Sequence, residues 1–550
     1  MYKNTATYLV QLAQPSGVEI NVLLVLDNKL TRENTKLKTL SKYVQQHPQG
    51  WKKRWELAEL LYAMGRWEQA VEEYHQVLKQ QPRWIEVRLR LGKILQLMAK
   101  EAEAIEVYES ALLLSRNVAT QHHITGLIES CRQNYQVAVS SFESATSLEP
   151  DNAAHWLALA QVHLNLEAPV AALDCLNTVL KLNPDDITAL SQSYDPLLAV
   201  GQFQEAVRRA IKVLELVPDD FQALKRLADY RSRLGLVWGE EGKQTQQLIR
   251  AALQLACQAA DAYESLAYYH IFRGEWAKGV AVLQEFTEEH PNNPGGWYHY
   301  ARCLFHTGDA QAGAEAILRA YGLYPNDCEI YRALCEILPV AGRLEELQPL
   351  VEEMLQRFSE RWSVWATAGR ALVESFKDIE GGCAVSAIGP QLQPHLADAW
   401  FRHGRVLALA GRHQEAVEAL LQGWQKLPEQ GSYMQSVPAA AWLGESYQAL
   451  GEEATSRGWW KEARDRGLKL IDFSPATAHY WQGRALEALG DESGAMQAYR
   501  SALSHHLLYP AHAEVKEVLK QLQEPDLNLI VFKTMHGEVN EVLKQLRIIY

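Results

Sequence analysis

The segment Pro150–Pro184, PDNAAHWLALAQVHLNLEAPVAALDCLNTVLKLNP, decides the fold. Two prolines 34 residues apart bound it, and inside it Ala160 stands 12 places before Ala172. The same interval of 34 separates Pro48 from Pro82, Pro184 from Pro218, Pro291 from Pro325 and Pro394 from Pro428, while Pro82 to Pro150 is 68. A fixed period of this length marks a stacked repeat in which each unit is one supersecondary element.

Aligned on these prolines, the units share a small residue at one position: Ala58, Gly92, Gly126, Ala160, Ala228, Ala267, Ala301, Gly369, Gly404, Gly444 and Gly483. Tyr194 breaks the series and Cys335 nearly fits it. Small residues are needed where two antiparallel helices cross closely. A second small residue follows in most units, at Ala70, Ala104, Ala138, Ala172, Ala206, Gly279, Gly313, Ala416, Ala463 and Ala495, often with an aromatic such as Tyr74, Tyr108, Phe142 or Tyr499 four later. Between them lies a turn glycine (Gly65, Gly201, Gly235, Gly274, Gly308, Gly342, Gly411, Gly451, Gly490) that can end a helix in the left-handed conformation, and Asp309 and Asp491 follow as caps for the next. Each unit reads helix, tight turn, helix, proline.

This pattern resembles the tetratricopeptide repeat, carried by Trp156 with Leu159 and Ala160 and by Trp297 with Ala301, Gly308 and Pro325, over about thirteen units from roughly 51 to 510. The resemblance implies an all-α, right-handed superhelical α-solenoid of stacked antiparallel helix pairs, with the first helix of each pair on the inner wall. The expected organisation is a cap over 1–50 with a helix near Thr31 to Gln46, arrays over 51–293 and 294–510, and capping helices over 511–550, near Glu514 to Gln523 and Glu538 to Leu546. End units of a solenoid need such caps because their outer faces have no neighbour. The apolar stretch Leu527 to Phe532 lies between the last two helices as a packing, strand or docking segment. Three units depart from the pattern: extra residues at Val237 to Thr245, an unclear second small residue between Ser375 and Pro394, and 47 residues from Pro428 to Pro475.

Residues one place after the first small slot, and four before that, share a helix face and are expected to point inward. Before residue 250 they are mixed, with Glu59, Lys93, His123, Gln161, Lys225 and Asp229 among them. Beyond it come Glu264 with Tyr268, Tyr298 with Arg302, Arg332, Arg370, Phe401 with Arg405, Glu445, and Tyr480 with Arg484. Arginine beside an aromatic suits a carboxylate-bearing extended ligand, because guanidinium is a planar donor fork that also stacks on rings. The competing reading is a solvated face whose arginines pair with neighbours such as Glu336 and Glu445. Trp156, Trp297, Trp365 and Trp400 are expected between helices, and the pair Trp459-Trp460 as a surface anchor.

The net charge of -13 argues against coating nucleic acid, which needs concentrated Lys and Arg. Seven cysteines without a CxxC pair indicate neither a disulfide framework nor a zinc site, and Val22 to Leu26 is too short for a signal core or a membrane span. The expected location is cytoplasmic. No phosphate-cradling glycine loop, GxSxG elbow or HExxH occurs. His122-His123, His505-His506 and the set His395, Asp398 and His403 lack metal-ligand spacing, and Glu72-Glu73 and Glu352-Glu353 sit on polar helix faces. Neither metal nor cofactor is expected. The sequence reads as a non-catalytic scaffold or adaptor for a protein or peptide, with no membrane or nucleic-acid partner. The alternatives are a substrate-recognition subunit for a separate glycosyl-, sulfo- or methyltransferase, and an enzyme site within the irregular units.

Overall fold

A computed structural model describes residues 35–63, 66–98, 100–256, 259–427 and 433–523. Thirteen antiparallel helical hairpins succeed one another, the first being Trp51–Ala63 with Trp67–Gln80 and the last Pro475–Leu489 with Glu492–Ser504, and Ala511–Gln523 follows as a single helix. No strand occurs among the described residues. None of the described helices is long and apolar enough to cross a membrane.

The small slot exists because a large side chain of the second helix lies on it. A Cβ added at Gly126 would come within 2.7 Å of the Phe142 ring, and one at Gly483 within 2.5 Å of Tyr499. Phe142 and Tyr499 are buried, as are Tyr74 and Tyr108 at the same place in their hairpins. The turn residue is left-handed, at Gly201, Gly235, Gly274, Gly308, Gly342, Gly411, Gly451 and Gly490, and three hairpins without the glycine force Gln133, Glu167 and Lys377 into that region at φ of 61, 52 and 59°. Asp309 and Asp491 cap second helices as expected, accepting from the backbone of Ala312 and Gly494. Trp156, Trp297, Trp365 and Trp400 each donate an indole N–H to the carbonyl six residues earlier, so each fastens the connection between hairpins while packing at a half-buried site.

Two compact units are distinguished by their internal contacts, with described parts over 35–196 with 215–219, and over 197–214 with 220–523. In the first, the helix over 35–46 lays Leu37, Leu40 and Val44 on the first hairpin. The hairpin containing Tyr194 has a first helix split into Ile187–Gln192 and Tyr194–Ala199. Pro196 there has no N–H to donate back along the helix.

In the second unit the irregular hairpins are accounted for by packing. The residues added at 237–245 lengthen a second helix to Gly239–Leu255, and Arg231, 2% exposed, fastens it by donating to Thr245 Oγ1, the Glu241 carboxylate and Gln244 Oε1. Between 375 and 394 the second small residue is present after all: Gly382 lies against Gly369, where a Cβ would meet the Gly369 carbonyl at 2.7 Å. The long unit has a 17-residue first helix, Tyr433–Ala449, and a 3-10 turn at Leu468–Leu470. Its buried small residue opposite Gly444 is Ser456, which donates to the Gly444 carbonyl, rather than Ala463. Trp460 then occupies the aromatic position, 4% exposed, so it is core and not a surface anchor, and Trp459 packs edge-on against Trp424. The stretch 527–532 and the helix expected at 538–546 lie outside the described residues.

The second unit also returns on itself. Phe473 stacks on Phe203 with centroids 4.0 Å apart, Arg233 lies over the Phe473 ring, and Gln435 Nε2 donates to the carbonyl of Ala199 at 2.6 Å. Further along, Tyr509 N–H donates to the His306 carbonyl at 3.1 Å, and His506 and His512 flank Trp276. The inter-hairpin edge near the end of this unit thus packs on the turn edge of hairpins more than 200 residues earlier.

Candidate functional site

Polar side chains at and beside the expected inward positions reach from one first helix to the next. In the first unit Arg90 approaches Glu59 at 3.9 Å, His155 Nδ1 meets His123 Nδ1 at 3.0 Å, and Gln192 Nε2 donates to Gln161 Oε1 at 3.3 Å. In the second unit the rungs are ionic. Lys225 lies 3.0 Å from Asp229 and 3.6 Å from Glu264, and His299 lies 2.9 Å from Asp261 and 3.0 Å from Glu264. Burial opposes a charge on His299, yet the Glu264 and Asp261 carboxylates outweigh it and lift the imidazole to about 9. Burial likewise opposes the charge on Glu264, and His299 and Lys225 nonetheless hold it near 2. Asp261 and His299 are absent from the inward set read from the sequence. Their 38-residue separation, the 34-residue repeat plus one helical turn, is the signal that could have found them.

The nine candidate residues fall into three groups. Arg405, Tyr480 and Arg484 belong to a self-contained network: Glu445 accepts from Arg405 at 2.8 Å and from Arg484 at 2.6 Å, and Tyr480 donates to Glu514 at 2.9 Å. Tyr480, Arg484 and Glu514 are all below a tenth exposed. Phe401 has no exposed surface and packs in the core against Trp424. These four are therefore committed to holding hairpins together.

Tyr268, Tyr298, Arg302, Arg332 and Arg370 make up the remainder, spread over four consecutive first helices, Ala260–Ile271, Pro294–His306, Cys328–Val340 and Trp362–Glu374. Tyr268 OH contacts His306 Nδ1 at 2.7 Å, and burial, with Arg302 adding to it, depresses His306 to about 3. Arg302 donates from Nη1 to Tyr298 OH at 3.1 Å, while its Nε is buried with no hydrogen-bond partner. Among the described residues no carboxylate lies within ion-pair distance of Arg302, although Glu336 and Glu264 are near enough to favour its charge. Arg332 pairs with Glu329 at 2.8 Å at a more exposed position. Arg370 has a looser ion pair, 3.8 Å from Glu374, whose carboxyl burial pushes up to about 7 against the pull of Arg370 and Arg405.

The six described cysteines, Cys131, Cys175, Cys303, Cys328, Cys335 and Cys383, are buried and form no disulfide with one another. Cys257 lies outside the described residues.

Stacked helical hairpins joined through a common first-helix face define an α-solenoid of helical repeats. Residues 56–120 and 264–327, 132–192, and 477–506 match models of the tetratricopeptide repeat, so the chain carries tetratricopeptide repeats in these four segments. Among solved structures it is similar to the APC/C hetero-tetramer Cut9-Hcn1 (13% identity, 95% of this chain and 99% of that one, TM-score 0.41). It is also similar to Naa15/Naa10 bound to HypK-THB (15% identity, 98% and 100%, TM-score 0.32) and to MamA protein (22% identity, 30% and 90%, TM-score 0.21). No curated protein sequence matches the chain significantly.

Proposed function

We propose that this protein is a non-catalytic interaction scaffold whose first-helix face over 260–374 takes an acidic segment of a partner polypeptide. Arg302 carries the reading. Its half-buried guanidinium has no carboxylate within ion-pair distance among the described residues, and an incoming carboxylate would supply that countercharge at its Nη groups. Arg370, 3.8 Å from the Glu374 carboxyl, and Arg332 extend the positive character to the next two helices. Tyr268 and Tyr298 supply ring faces and hydroxyls beside it.

The experiment measures binding of a fluorescent peptide rich in Asp and Glu across a salt series. Arg302→Glu and Arg370→Glu should each weaken binding at least tenfold and flatten its salt dependence. Arg412→Glu, at an exposed turn paired with Glu415, should leave binding unchanged. Equal losses from all three, or no loss from Arg302→Glu, would refute the assignment.

A further inference from the structure

Fourteen large apolar side chains among the described residues keep at least a third of their surface in water, and ten of them belong to the first unit. Six of the ten form a row. Leu113, Leu148, Leu182 and Leu216 end or nearly end the second helices of four consecutive hairpins, exposed by 89, 54, 42 and 36%, and Val118 and Ile187 open first helices beside them. Leu148, Leu182 and Leu216 recur at the same position of successive hairpins, with Leu113 one place before it in the hairpin ahead, which sets them along the edge formed by the inter-hairpin connections. Isolated exposed leucines need no explanation, but a periodic row of them marks an interaction surface.

The second unit shows what covers such an edge in this chain. There Phe473 and Leu507, on the same inter-hairpin edge, are 7 and 1% exposed. The edge packs on turns of earlier hairpins: His506 sits against Gly274, and Tyr509 against Gly308. Among the described residues nothing lies within 4 Å of a Cβ built at the later turn glycines Gly342, Gly411, Gly451 and Gly490, and Leu450 is exposed by 37% beside Gly451. A row spaced at one residue per hairpin is matched in step by another stack of hairpins, and the uncovered turn edge of this chain is one.

We propose that the leucine row of the first unit docks on the uncovered turn edge of the second unit in another copy of this chain, repeating between molecules the edge-on-turn packing that the second unit makes within itself. Such a contact joins two different surfaces, so it leaves one edge open at each end and the copies add head to tail.

Sedimentation velocity over a concentration series tests it. The wild-type weight-average mass should climb past that of a dimer, whereas Leu148→Ser/Leu182→Ser and Leu450→Glu should each sediment as monomers with unchanged helical circular dichroism. Mixed, the two variants retain one intact edge apiece and should form a 1:1 complex and nothing larger. A wild type that is monomeric throughout, a closed dimer insensitive to Leu450→Glu, or variants that fail to pair on mixing would each overturn the proposal.

Discussion

Phe203 and Phe473 lie face to face, ring centroids 4.0 Å apart and planes 17° from parallel, although 270 positions of chain separate them. The pair fastens the return of the second unit upon itself, together with Tyr230 and Arg233, which also contact the Phe473 ring. Phe473→Ala should lower stability by about 2–4 kcal/mol, toward the low end for a buried Phe because one side of the ring borders an edge rather than a core. Hydrogen exchange should quicken in both 199–233 and 470–475. Quickening in only one of these segments would show that the contact is not shared.

Glu445 serves two arginines at once. Glu445→Gln keeps the shape but leaves Arg405 without a carboxylate and Arg484 with the more distant Glu514, at 3.7 Å, alone. Removing one partner of a buried pair strands a charge, and with Glu445 24% exposed the expected loss is about 2 kcal/mol. Chemical denaturation measures it, and a loss below about 0.5 kcal/mol, the range of exposed pairs, would mean the network is solvated.

His299 and His306 give the second unit opposite pH dependences. His299 rises from 6.5 to about 9 on folding, so the folded chain holds the extra proton between those values. Its stabilisation is complete below 6.5 and is lost as pH climbs through 9. His306 falls from 6.5 to about 3, so the unfolded chain protonates first and stability declines as pH drops below 6.5. Thermal melts should therefore peak near pH 6.5, and His299→Gln should remove the decline between pH 7 and 9. Persistence of that decline in the variant would place its origin elsewhere.

At Gly483 two effects oppose each other. Alanine is favoured over glycine in a helix by about 1 kcal/mol, but overpacking a filled core costs about 1–3 kcal/mol. Tyr499 has no exposed surface and donates to Glu487 at 2.6 Å, so its ring has little room to withdraw from the new methyl. Gly483→Ala should lower the melting temperature. A higher one would mean that the ring gives way.

The hairpin was readable because its determinants are local: Gly126 needs Phe142 only sixteen positions away, and the turn at Gly308 needs only its own φ. The register of the long unit was not, because its extra residues fall in two places, at the start of Tyr433–Ala449 and around Leu468–Leu470, so that Pro475 no longer marks the second helix and Ala463 takes the slot that belongs to Ser456. The candidate arginines follow from the repeat spacing alone. Which of them are already neutralised depended on Glu445, whose bonds to Arg405 and Arg484 span 40 and 39 residues, and on Glu514 beyond the last hairpin. No helix-local spacing carries that information. Arg302 stands out only once its surroundings are known.

In an open array of repeats, each unit answers only to its neighbours, and melting proceeds inward from the ends. The hydrogen bonds from Gln435 to Ala199 and from Tyr230 to Asp472 bridge 236 and 242 residues, so the second unit cannot lose its last hairpins without also baring its first. Its unfolding should be a single cooperative event rather than progressive fraying. Its folding should wait on a slow closure step, since joining residues so far apart precedes any reward from the contact.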